Sequence, residues 1–290
     1  LVDTVLLVYV GNSAILMVGV GALSLVIGLA PAWLVSVYDF PGRRTFEWAL
    51  VLPLAIPTYI IAYTYAGVFE YDNLLPRALS ALWPGLEVWR IRSAVMSREG
   101  AMVMMALVLY PYVYVIARAS FLRQSSTVLE MARTLGRGPW DTFFRVALPM
   151  SRPAVAGGLT LVLMEVLNDY GAVKYFGVPT FTTGIFRAWF PMNDPIAAMR
   201  LSGILLLFVF TLIVLERMQR GRARFDDGAR GYRPTVRRKL SRRSRWLAMS
   251  VCLLPLALGF LVPVAQLASW AARVGSGALD ARFVGLALNS

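Results

Sequence analysis

The polar side chains best suited to chemistry lie at the end of an apolar stretch. Asn168 and Asp169 follow Glu165 by three and four residues, so a helix would place all three on one face. Their oxygen atoms are of the kind that binds a hard cation. Two interpretations stay open. The three residues line a translocation path or its gate, or they form hydrogen bonds between helices, with Asp169 at a helix end in water.

Several kinds of site are excluded by residues that the sequence lacks. The chain contains no histidine, which excludes imidazole metal sites and histidine-based catalytic triads. Its lysines, Lys174 and Lys239, do not lie in a phosphate-binding P-loop, so any ATP hydrolysis must come from a partner. A single cysteine, Cys252, cannot form an internal disulfide. We therefore expect no catalytic residues and no cofactor, and the sequence leaves metal ligands unknown.

The elements that position these residues are long and apolar. Hydrophobic residues make up 58% of the chain, above the usual share for soluble domains. A helix needs about 20 residues to cross a bilayer. Six runs approach or exceed that length, the fourth only if it continues through Asp169: Ser13–Tyr38, Trp48–Phe69, Ala101–Ala117, Ala154–Leu167, Ile196–Leu215 and Trp246–Trp270. The sequence predicts an all-α, polytopic transmembrane helical bundle with about six spans.

Prolines and tyrosines mark the ends and breaks of these spans. Pro53 and Pro57 are predicted to break the second span, because proline removes a backbone donor. Six tyrosines are predicted to lie near span ends, where tyrosines form interfacial belts: Tyr59, Tyr63, Tyr65, Tyr110, Tyr112 and Tyr114.

The net charge of +13 is sorted among the loops as in a membrane protein, which argues against a nucleic-acid partner. Alternate loops hold 20 and 7 basic residues. The basic set is predicted to face the cytoplasm: Asp39–Glu47, Arg118–Pro153 and Glu216–Arg245. Glu70–Gly100 and Tyr170–Arg200 are then outside. We expect a multi-pass protein of the bacterial inner membrane.

The basic loop before the fourth span is predicted to form two short helices. Thr127 and Glu130 fit a capping box, and Gly136 suits a left-handed cap. Pro139 suits the first turn of the second helix, which Leu148-Pro149 is predicted to end. The apolar face of this second helix would hold Trp140, Phe143, Phe144 and Ala147.

The spacing in this loop resembles the "EAA" loop of ABC importer permeases. In that pattern Glu-Ala-Ala is followed by three residues, Gly, nine residues and Ile-x-Leu-Pro; here Met131 replaces the first Ala and Val146 replaces Ile. The matching positions are Glu130, Ala132, Gly136, Val146, Leu148 and Pro149. The resemblance implies that the loop couples this chain to a cytoplasmic ABC ATPase dimer.

Longer stretches look like the permeases of ferric-iron ABC importers, which are similar to two MetI-like modules fused in one chain. These stretches are Asp39–Arg44, Leu50–Gly67, Leu107–Phe121 and Leu163–Phe190. The resemblance implies a first module at residues 1–216, with its coupling loop at about 122–152. A basic linker, attracted to membrane lipid, would follow at 217–245. Residues 246–290 would begin a second permease module, and we expect the full-length chain to continue before Leu1 and after Ser290.

The resemblance implies alternating access driven by the ATPase, with ferric iron delivered by a periplasmic ferric-iron-binding protein. Within the same class, a permease for thiamine or another small solute is the alternative. A secondary transporter or channel would need no ATPase, and the loop pattern would then be accidental. A membrane-embedded enzyme is disfavoured because the sequence has no clustered nucleophile and base.

Overall fold

The computed structural model describes residues 2–69, 88–124, 138–220 and 237–274, together with 131, 134, 136 and 289. Nearly all of the described elements are helices. In chain order they are α1 (Val2–Val37), β1 (Tyr38–Asp39), α2 (Arg43–Ala49), a 3₁₀ turn (Leu52–Ala55), α3 (Thr58–Val68), α4 (Val88–Val95), α5 (Arg98–Arg123), α6 (Pro139–Asn168), α7 (Gly171–Tyr175), α8 (Phe181–Trp189), α9 (Pro195–Arg220), β2 (Arg238–Lys239) and α10 (Arg242–Arg273).

The apolar runs form the membrane-crossing helices. Among the described residues, α1, α5, α6, α9 and α10 are long and apolar enough to cross a bilayer. The second run forms a sixth candidate as a bent pair, in which Arg43–Ala55 meets Thr58–Val68 at 92°. Pro57 lies at this bend as the N-cap of α3 and offers no backbone N–H. The predicted bundle of about six spans is therefore confirmed, and its second member is sharply broken.

Helices α1, α5 and α6 form the centre of the bundle. A Cβ atom at Gly28 would lie 2.9 Å from the Tyr110 carbonyl oxygen, so α1 and α5 nearly touch there. A Cβ at Gly158 would lie 3.1 Å from the Val113 Cα, so α6 approaches the same stretch of α5. Small residues permit such close backbone packing between membrane helices.

The sixth span packs directly against this centre. A Cβ at Gly259 would lie 2.5 Å from the Leu107 carbonyl oxygen of α5, so no larger residue fits without a shift. Cys252 and Leu256 are buried in the same apolar cluster as Trp33 of α1. The linker also makes a contact, because β2 pairs in parallel with β1 and Arg238 lies opposite Tyr38.

Two expectations from the sequence are wrong. Leu148-Pro149 does not end a helix, since α6 runs unbroken from Pro139 to Asn168. A π turn at Phe143–Ala147 precedes Pro149, which therefore lies in the first turn of the α-helical part that follows. Proline is tolerated in a first turn because the backbone N–H that it lacks would have no intrahelical acceptor there. The tyrosine prediction is wrong for Tyr65, Tyr110 and Tyr114, which are buried in the bundle, whereas Tyr59 and Tyr63 are more than half exposed.

Candidate coupling surface and translocation residues

The turn before α6 has the backbone geometry that its glycines predict. Gly136 has φ 79°, the left-handed conformation that glycine adopts without steric cost. Gly138 is the N-cap of α6 with φ −67°, and Pro139 occupies the first turn. Asp141 is stabilising at this end of the helix because its negative charge lies near the positive end of the helix dipole. It also forms an ion pair with Arg145, with 2.8 Å between Oδ1 and Nε. Two residues of the coupling pattern, Glu130 and Ala132, lie outside the described residues, as does the predicted capping box.

The predicted apolar face of this segment is divided between the core and the surface. Phe143 and Ala147 are buried, whereas Trp140 is 74% exposed and Phe144 is 57% exposed. The exposed rings stack on each other, with centroids 6.2 Å apart and planes 18° from parallel. Trp140 and Phe144 thus form an exposed aromatic pair on a helix whose opposite face is buried through Phe143 and Ala147.

Phe143 packs the start of α6 against the bundle. Its ring centroid lies 5.3 Å from that of Trp33 in α1 and 6.2 Å from that of Phe121 in α5. Trp33 and Phe121 are themselves in edge contact at 5.3 Å. This aromatic cluster joins the start of α6 to both central helices.

Hydrogen bonds fix the same junction. Gln124, at the end of α5, is buried and its Nε2 donates to the Ala147 carbonyl oxygen at 2.9 Å and to Ser151 Oγ at 2.7 Å. Ser120 Oγ donates to Ser151 Oγ at 3.0 Å. Three further positions of the coupling pattern lie in this stretch, each half-buried: Val146, Leu148 and Pro149.

The candidate translocation residues differ in exposure and in hydrogen bonding. Glu165 and Asn168 are exposed in the last turn of α6, but Asp169 lies beyond the helix as its C-cap and is half-buried. The Asp169 carboxylate accepts from Thr58 Oγ1 of α3 through Oδ2 and from the Ala172 backbone N–H at 2.8 Å through Oδ1.

Asp169 therefore connects three elements. Thr182 Oγ1 of α8 donates to its carbonyl oxygen at 2.6 Å, while its side chain holds α3 and the start of α7. The sequence did not predict these contacts of Thr58 and Thr182, or that of Gln124. A polar residue directly after a long apolar span was the available signal for Gln124; no local pattern pointed to the two threonines.

The described residues contain no group of three or more His, Cys, Asp or Glu side chains arranged to hold a metal ion.

The sequence has known relatives. Residues 24–222 match the family described as "Binding-protein-dependent transport system inner membrane component". The chain is 28% identical over 263 residues to the Fe(3+)-transport system permease protein FbpB 2 of Haemophilus influenzae, which covers 89% of this chain and 47% of that protein.

Permeases for oxyanions match over a shorter region. The sulfate transport system permease protein CysT of Escherichia coli is 30% identical over 150 residues, which is 52% of this chain and 51% of that protein. The molybdenum transport system permease protein ModB of Haemophilus influenzae is 30% identical over 153 residues, which is 53% of this chain and 64% of that protein. The chain spans less than two thirds of the length of each of these relatives.

The family match covers more than half of the chain and includes the junction of Phe143 and Gln124 as well as the polar end of α6. With the several membrane-crossing helices of the fold, it places the protein in the inner membrane as a multi-pass component. The chain belongs to the family of inner membrane components of binding-protein-dependent transport systems.

Proposed function

We propose that this chain forms a transmembrane module of an ATP-driven importer for ferric iron. In this proposal a cytoplasmic ABC ATPase dimer binds the segment at the start of α6, and a periplasmic binding protein delivers the ion. A second permease module in the same full-length chain completes the pathway. The protein itself carries out no covalent chemistry.

The exposed pair Trp140–Phe144 supports the coupling role. Large exposed aromatic side chains are typical anchors of protein interfaces, where they fill pockets on the partner. This pair lies on a helix whose buried side, through Phe143, contacts both α1 and α5. A force applied to the pair would therefore reach the centre of the bundle directly.

The extent of similarity supports ferric iron as the substrate. The match to the ferric permease spans 263 residues, whereas the matches to CysT and ModB cover about half of the chain. An exposed carboxylate at Glu165 is also better suited to a cationic cargo than to sulfate or molybdate. The proposed path uses Glu165 and Asn168, whereas the hydrogen bonds of Asp169 favour a positioning role at the outer end of α6.

Reconstituted transport tests both parts of the proposal. The full-length protein is placed in liposomes with its ATPase, and binding protein loaded with Fe(III) is added outside. We expect ATP-dependent iron uptake and no uptake from binding proteins loaded with sulfate or molybdate. ATP-dependent import of an oxyanion without import of iron would replace the substrate assignment.

Two matched proline variants test the coupling segment. Proline requires φ near about −65°. Gly136→Pro cannot satisfy this at φ 79°, whereas Gly138→Pro can at φ −67°. Gly136→Pro should insert normally and lose most uptake, while Gly138→Pro should retain it. Full uptake in both variants would contradict the coupling role.

A further inference from the structure

A cavity lies beside the start of α2, where the first basic loop meets the end of the linker. Its volume is about 610 Å³. Residues from both segments line it: Asp39, Phe40, Gly42, Arg43, Arg44, Thr45, Arg237 and Lys239. Neither segment alone would create it, because the parallel pairing of β1 with β2 places Lys239 opposite Asp39.

The cavity has an excess of positive charge. Four cationic side chains line it against the single carboxylate of Asp39. Asp39 is itself engaged, because its Oδ1 lies 3.7 Å from Arg43 Nε. Across the described ranges, no hydrogen bond or ion pair is formed by the side chains of the remaining three cations: Arg44, Arg237 and Lys239.

Arg43 forms the wall of the cavity and leaves one donor unused. It is only 8% exposed, and its Nη1 donates to Glu47 Oε2 at 3.2 Å. Its Nε has no hydrogen-bond acceptor among the described residues, since Asp39 is too distant. A buried guanidinium donor without an acceptor carries a desolvation cost that an entering anion would remove.

The cavity lies close to the end of a candidate membrane span. The candidate span of α1 ends at Val37, two residues before Asp39. The loops predicted to face the cytoplasm, which carry most of the basic residues, include both of its walls. Basic pockets at this face of a membrane are suited to the phosphate groups of lipids.

We propose that this cavity binds a phosphate group, supplied either by an anionic lipid headgroup or by a free phosphate. Arg44, Arg237 and Lys239 donate to its oxygens, and Arg43 provides the buried wall. Guanidinium groups suit this task because their planar N–H donors match the spacing of phosphate oxygens. The bound phosphate joins the linker to the first loop and offsets the mutual repulsion of their cations. The proposal holds whatever solute the protein transports.

A pair of triple variants separates a built site from general attraction to a basic surface. The site variant is Arg44→Gln, Arg237→Gln, Lys239→Gln. The control removes three exposed charges from the adjacent sequence without touching the cavity lining: Arg238→Gln, Arg242→Gln, Arg243→Gln. Arg43 is kept because it is buried and pairs with both Asp39 and Glu47, so its removal would disturb the fold of this loop.

Binding is measured on the full-length protein in neutral detergent. Phosphatidylglycerol is titrated by native mass spectrometry, with phosphatidylcholine as the zwitterionic comparison. Inorganic phosphate is titrated by thermal shift against chloride at equal ionic strength. We expect the site variant to bind at least one of these probes about tenfold more weakly than the control variant does, because three charge-assisted donors are lost.

The two titrations identify the source of the phosphate. Selective loss of phosphatidylglycerol binding assigns a lipid headgroup, selective loss of inorganic phosphate binding assigns a free phosphate, and loss of both shows that either enters. The proposal would be overturned if the site and control variants lost affinity equally. It would also be overturned if neither variant lost affinity for either probe. If the triple site variant is not monodisperse, the exposed single change Arg44→Gln is compared with Arg238→Gln under the same criteria.

Discussion

Truncating the exposed and buried aromatics at the start of α6 should have opposite effects on binding and stability. Trp140→Ala removes a side chain that is 74% exposed and whose described ring contact is the stack on Phe144. The loss should lower the free energy of unfolding by about 1 kcal/mol or less. Phe143→Ala instead empties the space beside Trp33 and Phe121, which should cost about 3–5 kcal/mol.

For the affinity of the ATPase, the exposed ring of Trp140 should matter more than the buried ring of Phe143. If Trp140 fills a pocket on the ATPase, its truncation should cost at least about 2 kcal/mol of binding, or about 30-fold in Kd. Trp246→Ala is the matched control, because Trp246 is 65% exposed but lies at the start of α10. Its ATPase affinity should stay within about threefold of the unmodified protein, as expected for a surface change away from the interface.

Thermal unfolding in detergent and titration with labelled ATPase measure the two quantities separately. The expected pattern for Trp140→Ala is a fall in unfolding temperature that is much smaller than that of Phe143→Ala, together with weakened ATPase binding. The reasoning is refuted if Trp140→Ala binds the ATPase as tightly as the unmodified protein does, or if Trp246→Ala weakens binding equally.

Three further predictions concern the rest of the bundle. Asp169→Asn should lower thermal stability by about 1–2 kcal/mol because it weakens the hydrogen bonds at the end of α6, whereas Glu165→Gln should lower iron uptake in liposomes and leave stability unchanged; the reverse assignment of the two effects would contradict the roles given to them. A membrane-impermeant thiol reagent should label Met192→Cys from outside and Thr45→Cys only in inverted vesicles, and outside labelling of Thr45→Cys would overturn the topology. Gly259→Leu should destabilise the protein by about 1–3 kcal/mol through overpacking against α5, as thermal unfolding would show; unchanged unfolding would mean that α10 can move away at no cost.

The sequence predicted features that depend on local chemistry. Apolar runs identified the spans because their length must match the bilayer, and Gly136 identified its turn because its φ of 79° favours glycine. Pro139 identified the start of a helix for the corresponding reason. These features need no knowledge of which helices are neighbours.

Features that depend on distant residues could not be predicted in this way. The role of Asp169 follows from Thr58, which lies 111 positions away in the sequence. Pro149 resembled a helix end because nothing in the sequence indicates the π turn that precedes it. The pairing of β1 with β2 was also hidden, since a solvated linker was the simplest interpretation of so basic a stretch.

The unbroken course of α6 has a mechanical consequence. Its 30 residues give a length of about 45 Å, from the exposed pair near one membrane face to Asn168 near the other. Phe143 and Gln124 join its start to α1 and α5, so a rigid tilt of α6 would act as a lever on both helices. Rotating a lever of that length by about 10° around its midpoint moves its two ends by about 4 Å in opposite directions. If the ATPase binds the exposed pair as proposed, a small angular stroke there would displace the other end of α6 by more than the radius of a water molecule without bending the helix.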